Sequence, residues 1–292
     1  MIIFRLPQNL PVVIGALLVL PAAELPVKAG ETPQKGYHLF RPVPAESMRE
    51  LSADRPDTTE SPITVDAGHF QMEASFFDFG RSRSAESRTD TFTWGAVNLK
   101  AGLLPNADLQ VVFDAWTEER RTGPGGLRDT TSGPGDPEVR LKVNFFGNDG
   151  GRTALAVMPF VRIPAGSDVS GGEWEGGIIL PLSVDLAEKI SLGLMLEMDL
   201  THDAAGGGGG YGQEWVHTAV LGFGLTEKLG LYLEYAGTAG SGWETDFDYQ
   251  AACGGGFTWA ASENVQWDIG GRIGLNAAAE EFGLFTGITR RF

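Results

Sequence analysis

Residues 190–200 read Ile-Ser-Leu-Gly-Leu-Met-Leu-Glu-Met-Asp-Leu, and this stretch decides the fold class. Every even-numbered position in it is apolar, whereas the odd-numbered positions include Glu197 and Asp199. Successive side chains of a β-strand point to opposite faces, so the pattern predicts a strand with one apolar face and one polar face. Ionised side chains are costly to bury in a dry protein core. The polar face is therefore expected to line a wet interior, and the apolar face to meet lipid.

The same alternation recurs along the chain, most clearly at residues 138–145 and 265–275. These runs are about 10–13 residues long, whereas strands of soluble proteins are typically about 5–6 residues. A tilted strand needs about 9–11 residues to cross the hydrocarbon layer of a membrane. A soluble β-sandwich also alternates, but its strands are shorter and its core holds few charges. After residue 29 no stretch approaches the apolar length of a membrane-spanning helix.

About twelve segments alternate in this way, and the connections between them differ in length. The segments cover residues 67–79, 90–103, 107–118, 137–146, 153–164, 174–186, 190–202, 214–225, 229–239, 246–260, 264–276 and 281–292. Short turns alternate with the longer links 80–89, 119–136, 165–173, 203–213 and 240–245. This arrangement is typical of outer-membrane barrels. The sequence predicts an all-β, transmembrane, antiparallel up-and-down β-barrel of about twelve strands, with short periplasmic turns and longer external loops.

The second strand departs from simple alternation. Phe92 and Trp94 have one parity, whereas Val97 and Leu99 have the other. The four side chains can share a face only if the strand contains a bulge or if its boundary is misplaced.

Composition excludes several other classes of protein. The 292 residues carry a formal net charge of −16, which disfavours nucleic-acid binding because that rewards clustered lysine and arginine. The single cysteine, Cys253, can form neither an intrachain disulfide nor a cysteine-based zinc site. No metal site and no cofactor are predicted.

The first 29 residues are predicted to be a secretory signal peptide. Arg5 precedes a short apolar run at residues 10–23, and small residues precede a cleavage site between Ala29 and Gly30. An N-terminal anchor helix is the alternative, although the run is short and broken by two prolines. The expected organisation is a signal peptide at 1–29, a periplasmic N-terminal segment at 30–66, and a barrel at 67–292. The expected location is the outer membrane of a Gram-negative-type bacterium.

The C-terminus supports this location. Phe282, Leu284, Ile288 and the final residue, Phe292, share one parity. The closing strands of bacterial outer-membrane barrels resemble this, with a terminal aromatic residue that the barrel-assembly machinery recognises. The resemblance implies that machinery as a partner, together with membrane lipid and lipopolysaccharide.

Residues 48–73 read MRELSADRPDTTESPITVDAGHFQME. The positions that carry a family motif are Asp54, Arg55, Pro56, Asp57, Ser61, Pro62, Gly68, Gln71 and Glu73. The stretch resembles the opening signature of a bacterial transporter-like family described as a putative MetA pathway of phenol degradation. The resemblance implies an outer-membrane barrel and brings no catalytic residues with it. On physical grounds, this polar and proline-stiffened stretch is either tucked against or inside the periplasmic mouth or a mobile tether.

Strand parity also predicts which charged side chains face the interior. They are Glu73, Glu138, Arg140, Lys142, Arg162, Asp185, Glu197, Asp199, Glu234, Asp248, Asp268 and Arg272. Acids outnumber bases, which favours cations or neutral polar solutes over anions. The alternative is that these side chains pair with one another and fill the interior, as in small barrels.

The expected function is a passive, non-enzymatic channel for an unidentified small-molecule solute. The family name points to hydrophobic or aromatic compounds. Two alternatives remain open: a structural or surface-interaction barrel without transport, and a lipid-modifying enzyme. Some twelve-stranded barrels hydrolyse lipids with a serine–histidine pair, and His217 is on the apolar face by parity. The expected serine motif does not accompany it, which favours an interfacial histidine.

Overall fold

The computed structural model describes residues 35–84, 86–203, 210–241 and 248–292. The predicted signal peptide and its cleavage site lie outside these ranges. Thirteen strands are present: β1 (Phe70–Arg83), β2 (Arg88–Leu104), β3 (Ala107–Thr122), β4 (Arg128–Gly133), β5 (Glu138–Phe146), β6 (Thr153–Arg162), β7 (Glu175–Ala187), β8 (Ile190–Asp203), β9 (Gly210–Gly224), β10 (Leu229–Ser241), β11 (Asp248–Ser262), β12 (Val265–Gly274) and β13 (Phe282–Arg291). Two single 3₁₀ turns, Ala45–Ser47 and Pro124–Gly126, complete the regular structure of the described residues.

The strands form one closed antiparallel barrel. Each long strand pairs with the next one along the chain, and β1 pairs with β13, with Gln71 opposite Arg291, to close the sheet. The short strand β4 pairs with the outer part of β3, while the remainder of β3 pairs with β5. The barrel therefore has twelve spanning strands and one additional short strand, which confirms the predicted fold.

The faces of the strands are arranged as the alternation predicts. Leu196 on β8 and Leu284 on β13 point outward and are 44% and 55% exposed in the isolated chain. In contrast, Lys142 and Glu73 point inward and are almost completely buried. The exposed apolar band needs a lipid environment. Within the described ranges, no helix has the length and hydropathy needed to cross a bilayer.

The irregularity predicted in the second strand is present at Gly95. This residue has a φ of +63°, a conformation that glycine adopts without the steric cost of a side chain. On the neighbouring strand, the pairing of β1 with β13 shifts by one residue between Ser75 and Phe77. Trp94 packs on Phe77 with ring centroids 5.0 Å apart. A bulge thus explains the change of parity in β2.

The two ends of the barrel differ. At one end, named here the short-turn end, lie the turns at 105–106, 147–152, 188–189, 225–228 and 263–264, the start of β1 and the C-terminus. The opposite end, named the long-loop end, includes the connection containing β4 and the segments 163–174 and 275–281.

Two of the predicted long links are wrong in detail. Residues 80–89 are mostly strand, because β1 and β2 continue to a four-residue turn at 84–87. An ion pair between Arg81 and Asp90 holds this hairpin together at an N–O distance of 2.6 Å. The predicted link 119–136 contains the end of β3 and the whole of β4, which extend the sheet beyond the barrel wall.

Candidate functional site

The barrel interior contains part of the chain that precedes β1. Residues 49–66, named here the inner segment, bond to side chains on strands from all around the barrel. Asp54 contacts β2 and β5, Arg55 contacts β12, and Thr59 contacts β9 and β10. A segment that reaches strands on opposite sides of a closed sheet must lie inside it. Of the two readings of this stretch, the structure has the one in which it is tucked into the short-turn end.

Asp54 is the most heavily bonded residue of the inner segment. Its carboxylate accepts hydrogen bonds from the ammonium groups of Lys100 on β2 and Lys142 on β5, the latter at 2.8 Å. Both lysine side chains are buried, as is the carboxylate. Burial alone would raise the pKa of Asp54, but the two lysines more than offset this and hold it well below its usual range. The aspartate is therefore ionised, and it links the segment to two strands.

Glu73 continues this network on β1. Its carboxylate accepts hydrogen bonds from the backbone N–H groups of Asp54 and Arg55, at 3.1–3.2 Å, and forms an ion pair with Lys100. The side-chain amide of Gln71 donates to the same carboxylate at 2.9 Å. Two residues of the family motif on β1 thus hold two residues of the motif in the inner segment.

The middle of the segment is bound by the far wall of the barrel. The Arg55 guanidinium donates to both carboxylate oxygens of Asp268 on β12, at 2.8 and 3.1 Å. Glu234 on β10 accepts from the backbone N–H groups of Thr58 and Thr59, at 3.0 and 2.8 Å. Glu60 pairs with Arg140 on β5. These bonds orient every residue from 55 to 60 except Pro56 and Asp57, which face open space.

The end of the segment is held where β1 and β13 meet. Asp66 forms ion pairs with Arg49, at 3.5 Å, and with Arg291 of β13, at 3.0 Å. Just beyond it, Gly68 has a φ of +80° and packs so closely on Pro42 that a Cβ atom would lie 2.5 Å from the proline Cα. Only glycine fits this position, which sets the turn into β1.

The predicted lining residues point to the interior in most cases, but few are free there. Those bound to a partner of opposite charge or to the inner segment are Glu73, Glu138, Arg140, Lys142, Arg162, Glu234, Asp268 and Arg272. Asp185 is exposed at the short-turn end. Glu197 and Asp199 face the lumen side by side, and one carboxylate oxygen of Asp199 is buried without a hydrogen-bond partner among the described residues. The side chain of Asp248 lies outside the described residues.

Several interior residues were missed by the sequence analysis. Lys100 has the inward parity of its strand, and that parity was the available signal. Asp78 has the opposite parity to Glu73 and faces inward because the pairing shifts between Ser75 and Phe77, so parity alone could not find it. The interior also contains an apolar cluster on β6, β7 and β8, made of Met158, Phe160, Ile179 and Met195. These residues share the inward parity of Arg162, Asp185 and Glu197 on their strands, so parity was again the available signal, although only charged residues were sought on the inward faces.

Three cavities remain inside the barrel. The short-turn cavity, of about 480 Å³, is lined by turn residues such as Glu188 and Lys189. The middle cavity, of about 230 Å³, lies beyond it, and the two share Arg55, Pro56, Asp57 and Tyr232 as lining residues. The long-loop cavity, of about 520 Å³, lies between the charged strands β2–β7 and the loops at 135–136 and 169–171. Space therefore enters the barrel from both ends.

A family model described as "Putative MetA-pathway of phenol degradation" matches residues 53–292. This match covers most of the chain and begins in the inner segment. The chain belongs to this family. The resemblance carried by residues 54–73 is thereby confirmed, and in this member of the MetA-pathway family those residues join the inner segment to the barrel wall. No curated protein sequence matches the chain significantly.

Solved structures similar to this MetA-pathway family member are membrane barrels. An outer membrane channel from Pseudomonas putida F1 is 14% identical, with a TM-score of 0.60, covering 82% of this chain and all of that one. The transport unit of the autotransporter AIDA-I from Escherichia coli is 8% identical, with a TM-score of 0.51, covering 82% of this chain and 92% of that one. At these identities the likeness supports the fold alone.

Two other residues singled out from the sequence, His217 and Phe292, lie outside the barrel interior. The ring of His217 lies on the outer face, where its Nε2 is 3.1 Å from the Tyr249 hydroxyl. Phe292 is exposed at the short-turn end, and its backbone N–H donates to the carbonyl of Phe70 at 2.8 Å. Among the described residues, no group of three or more histidine, cysteine or acidic side chains is placed to hold a metal ion.

Proposed function

We propose that this MetA-pathway family member is a passive, non-enzymatic channel that lets small solutes cross the outer membrane of a Gram-negative-type bacterium. The carrying observation is that cavities enter the lumen from both ends. The inner segment lines the two on the short-turn side, and Arg140, which lines the third, pairs with Glu60 of that segment. A barrel whose interior was filled by its own side chains would leave no such spaces. We assign no energy source to this transport, so solutes would move down their own concentration gradients.

The charge of the interior supports a preference for cations and neutral polar molecules. Eight of the twelve predicted lining residues are acidic, and the inner segment adds further acids at Asp54, Asp57 and Glu60. A ring of excess negative charge raises the local concentration of cations and repels anions. The family name suggests hydrophobic or aromatic compounds as the physiological solutes.

The proposal includes the route to the membrane. The signal peptide at 1–29 would be removed near Ala29, the barrel-assembly machinery would recognise the strand that ends at Phe292, and the outer band would contact phospholipid and lipopolysaccharide. The short-turn end would then face the periplasm and the long-loop end the outside, as is general for such barrels. Membrane fractionation with heat-modifiable gel migration tests this placement.

Ion conductance tests the channel function. Purified protein is inserted into a planar lipid bilayer with a tenfold KCl gradient, and the reversal potential is measured. We expect discrete conductance steps and a reversal potential of the sign that shows cation preference. Marked anion preference would contradict the assigned lining, and a folded barrel that never conducts would favour the structural or surface-interaction alternative.

A further inference from the structure

The middle cavity has walls of unlike character. On one side lie residues 55–58 of the inner segment, and on the other lie strands β10 to β13. The strand side combines small residues, including Ala236 and Gly254, and the rings of Tyr232 and Phe285 with the charged side chains of Asp78, Glu234 and Arg272. A space of about 230 Å³ that offers both carboxylates and an apolar, partly aromatic patch suits a small molecule that has both kinds of surface.

The ring of Tyr232 occupies space that is available only because two neighbouring residues are glycines. A Cβ atom on Gly270 would lie 2.3 Å from the Tyr232 hydroxyl oxygen, and one on Gly256 would lie 2.9 Å from its Cε1. The ring thus lies flat against two glycines of β11 and β12. It is 5% exposed, and its hydroxyl is buried with no hydrogen-bond partner among the described residues. A buried hydroxyl without a partner is uncommon in proteins and calls for an explanation.

The charges around the cavity do not cancel. Arg55 is neutralised by Asp268, and Arg272 by Asp78 and Glu280. Glu234 is satisfied by backbone N–H groups, which carry no net charge. Asp57 is half-buried and has no ion-pair partner among the described residues. Burial, followed by the neighbouring Glu234, raises the pKa of Asp57 well above its usual range. The carboxylate of Glu234 is thus the uncompensated charge of the cavity, and a bound cation would let Asp57 ionise beside it.

We propose that the middle cavity is a binding subsite for small organic cations, which place an ammonium group beside Asp57 and Glu234 and an apolar body against Tyr232 and Phe285. This proposal rests on the proposed channel function and names a class of solute for it. An ammonium group supplies the missing counter-charge. Aromatic rings attract cations and also accept an apolar body. Inorganic cations would use the carboxylates of this lining but not its apolar, aromatic patch.

Gly254 gives a way to fill the cavity without changing its charge. A Cβ atom there would make ordinary contacts, 3.4 Å from the Gly271 carbonyl oxygen and 3.9 Å from Glu234 Oε2. The backbone of Gly254 therefore accepts a side chain, and a larger side chain extends into the space that the cation would occupy. The preceding residue, Cys253, also borders the cavity, but its side chain has the outward parity of its paired residues Tyr235 and Ile273, which are exposed on the outer face. Cys253 thus offers a matched position on the opposite side of the same strand.

The test uses benzylammonium as the probe and benzoate as an aromatic molecule of similar body and opposite charge. Each is added to single channels carrying a potassium current, and the concentration for half-block is measured. We expect benzylammonium to block and benzoate not to block. Asp57→Asn should raise the half-blocking concentration about tenfold, because a charged hydrogen bond is lost. Gly254→Leu should abolish block, and Tyr232→Leu, which removes the aromatic ring, should weaken it about threefold.

Cys253→Leu and Tyr235→Leu are the matched controls, and both should stay within twofold of the wild type. Heat-modifiable migration verifies that every variant is folded. Equal block by benzoate, or unchanged block in both Asp57→Asn and Gly254→Leu, would overturn the subsite. Calorimetric binding of benzylammonium to the detergent-solubilised barrel separates the two proposals. If the barrel does not conduct but binds benzylammonium, and Asp57→Asn removes this binding, the channel proposal is wrong and the subsite proposal is supported.

Discussion

The two halves of the barrel interior use the same kinds of charged side chain under different conditions. In the short-turn half, Lys100, Lys142 and Asp54 are buried together and each depends on the others. In the long-loop half, Arg272 and its partner Asp78 are about 30% exposed and line open space. A buried charge that loses its partner is strongly destabilising, whereas exposed pairs contribute little. The first half therefore fixes the inner segment, and the second sets the field that a solute meets.

The largest effect is expected from Asp54→Asn. The substitution leaves Lys100 and Lys142 buried without their shared carboxylate, so the free energy of unfolding should fall by about 3–5 kcal/mol. Denaturant titration of the barrel in lipid vesicles measures this. Glu263→Gln, in an exposed turn at the same end, is the control and should be neutral. A value for Asp54→Asn within about 1 kcal/mol of wild type would show that the inner segment is not a structural part of the barrel.

The second effect is a dependence of stability on pH through Glu60. Burial and the Asp54 carboxylate raise the pKa of Glu60 to about 7, although Arg140 and Lys142 lie beside it. The folded state then holds the proton more tightly than the unfolded state. The resulting stabilisation is complete below the unfolded value near 4.5 and is lost as the pH rises through about 7.

The measurement compares the wild type with Glu60→Gln, which cannot titrate. Between pH 4.5 and pH 8, the wild type should lose up to about 3 kcal/mol of unfolding free energy relative to the variant. Glu86→Gln, on the exposed β1–β2 turn, should follow the wild type at every pH. Parallel curves for wild type and Glu60→Gln would mean that Glu60 is ionised throughout and that the contrast between the halves is smaller than the burial suggests.

The smallest effect on stability, and a clear one on selectivity, is expected from Arg272→Gln. Its ion pairs are partly exposed, so the unfolding free energy should change by about 1 kcal/mol or less. Asp78 and Glu280 lose their counter-charge, and the reversal potential should move further towards cation selectivity. Arg83→Gln, whose partner Glu281 is also exposed at the rim, is the control. A shift towards anions would contradict the assigned field.

Much of the fold was accessible from the sequence because one physical rule governs every spanning strand. The faces of Leu196 and Asp199 follow from parity alone. The same rule predicted about twelve strands and an irregularity in the second one, which the structure places at Gly95. The rule fails where neither face is distinctive. Strand β4 reads Arg-Asp-Thr-Thr-Ser-Gly, polar throughout, because it projects beyond the membrane and has no lipid-facing side.

The partners inside the barrel could not be predicted in the same way. Parity says that Lys142 points inward, but not that it meets Asp54, which lies 88 residues earlier in the chain. That contact depends on where each strand stands around the ring and on the path of the inner segment. Tyr232 was missed for a related reason, because its importance comes from Gly256 and Gly270 on two other strands.

The route of the inner segment has a consequence for the order in which the molecule is completed. Arg55 and Asp66 precede every described strand in the sequence, but their partners Asp268 and Arg291 lie on β12 and β13. These ion pairs cannot form while the cylinder is unfinished, so a half-built wall offers the segment no full set of partners. The inner segment can therefore be fully bound only after the sheet has closed.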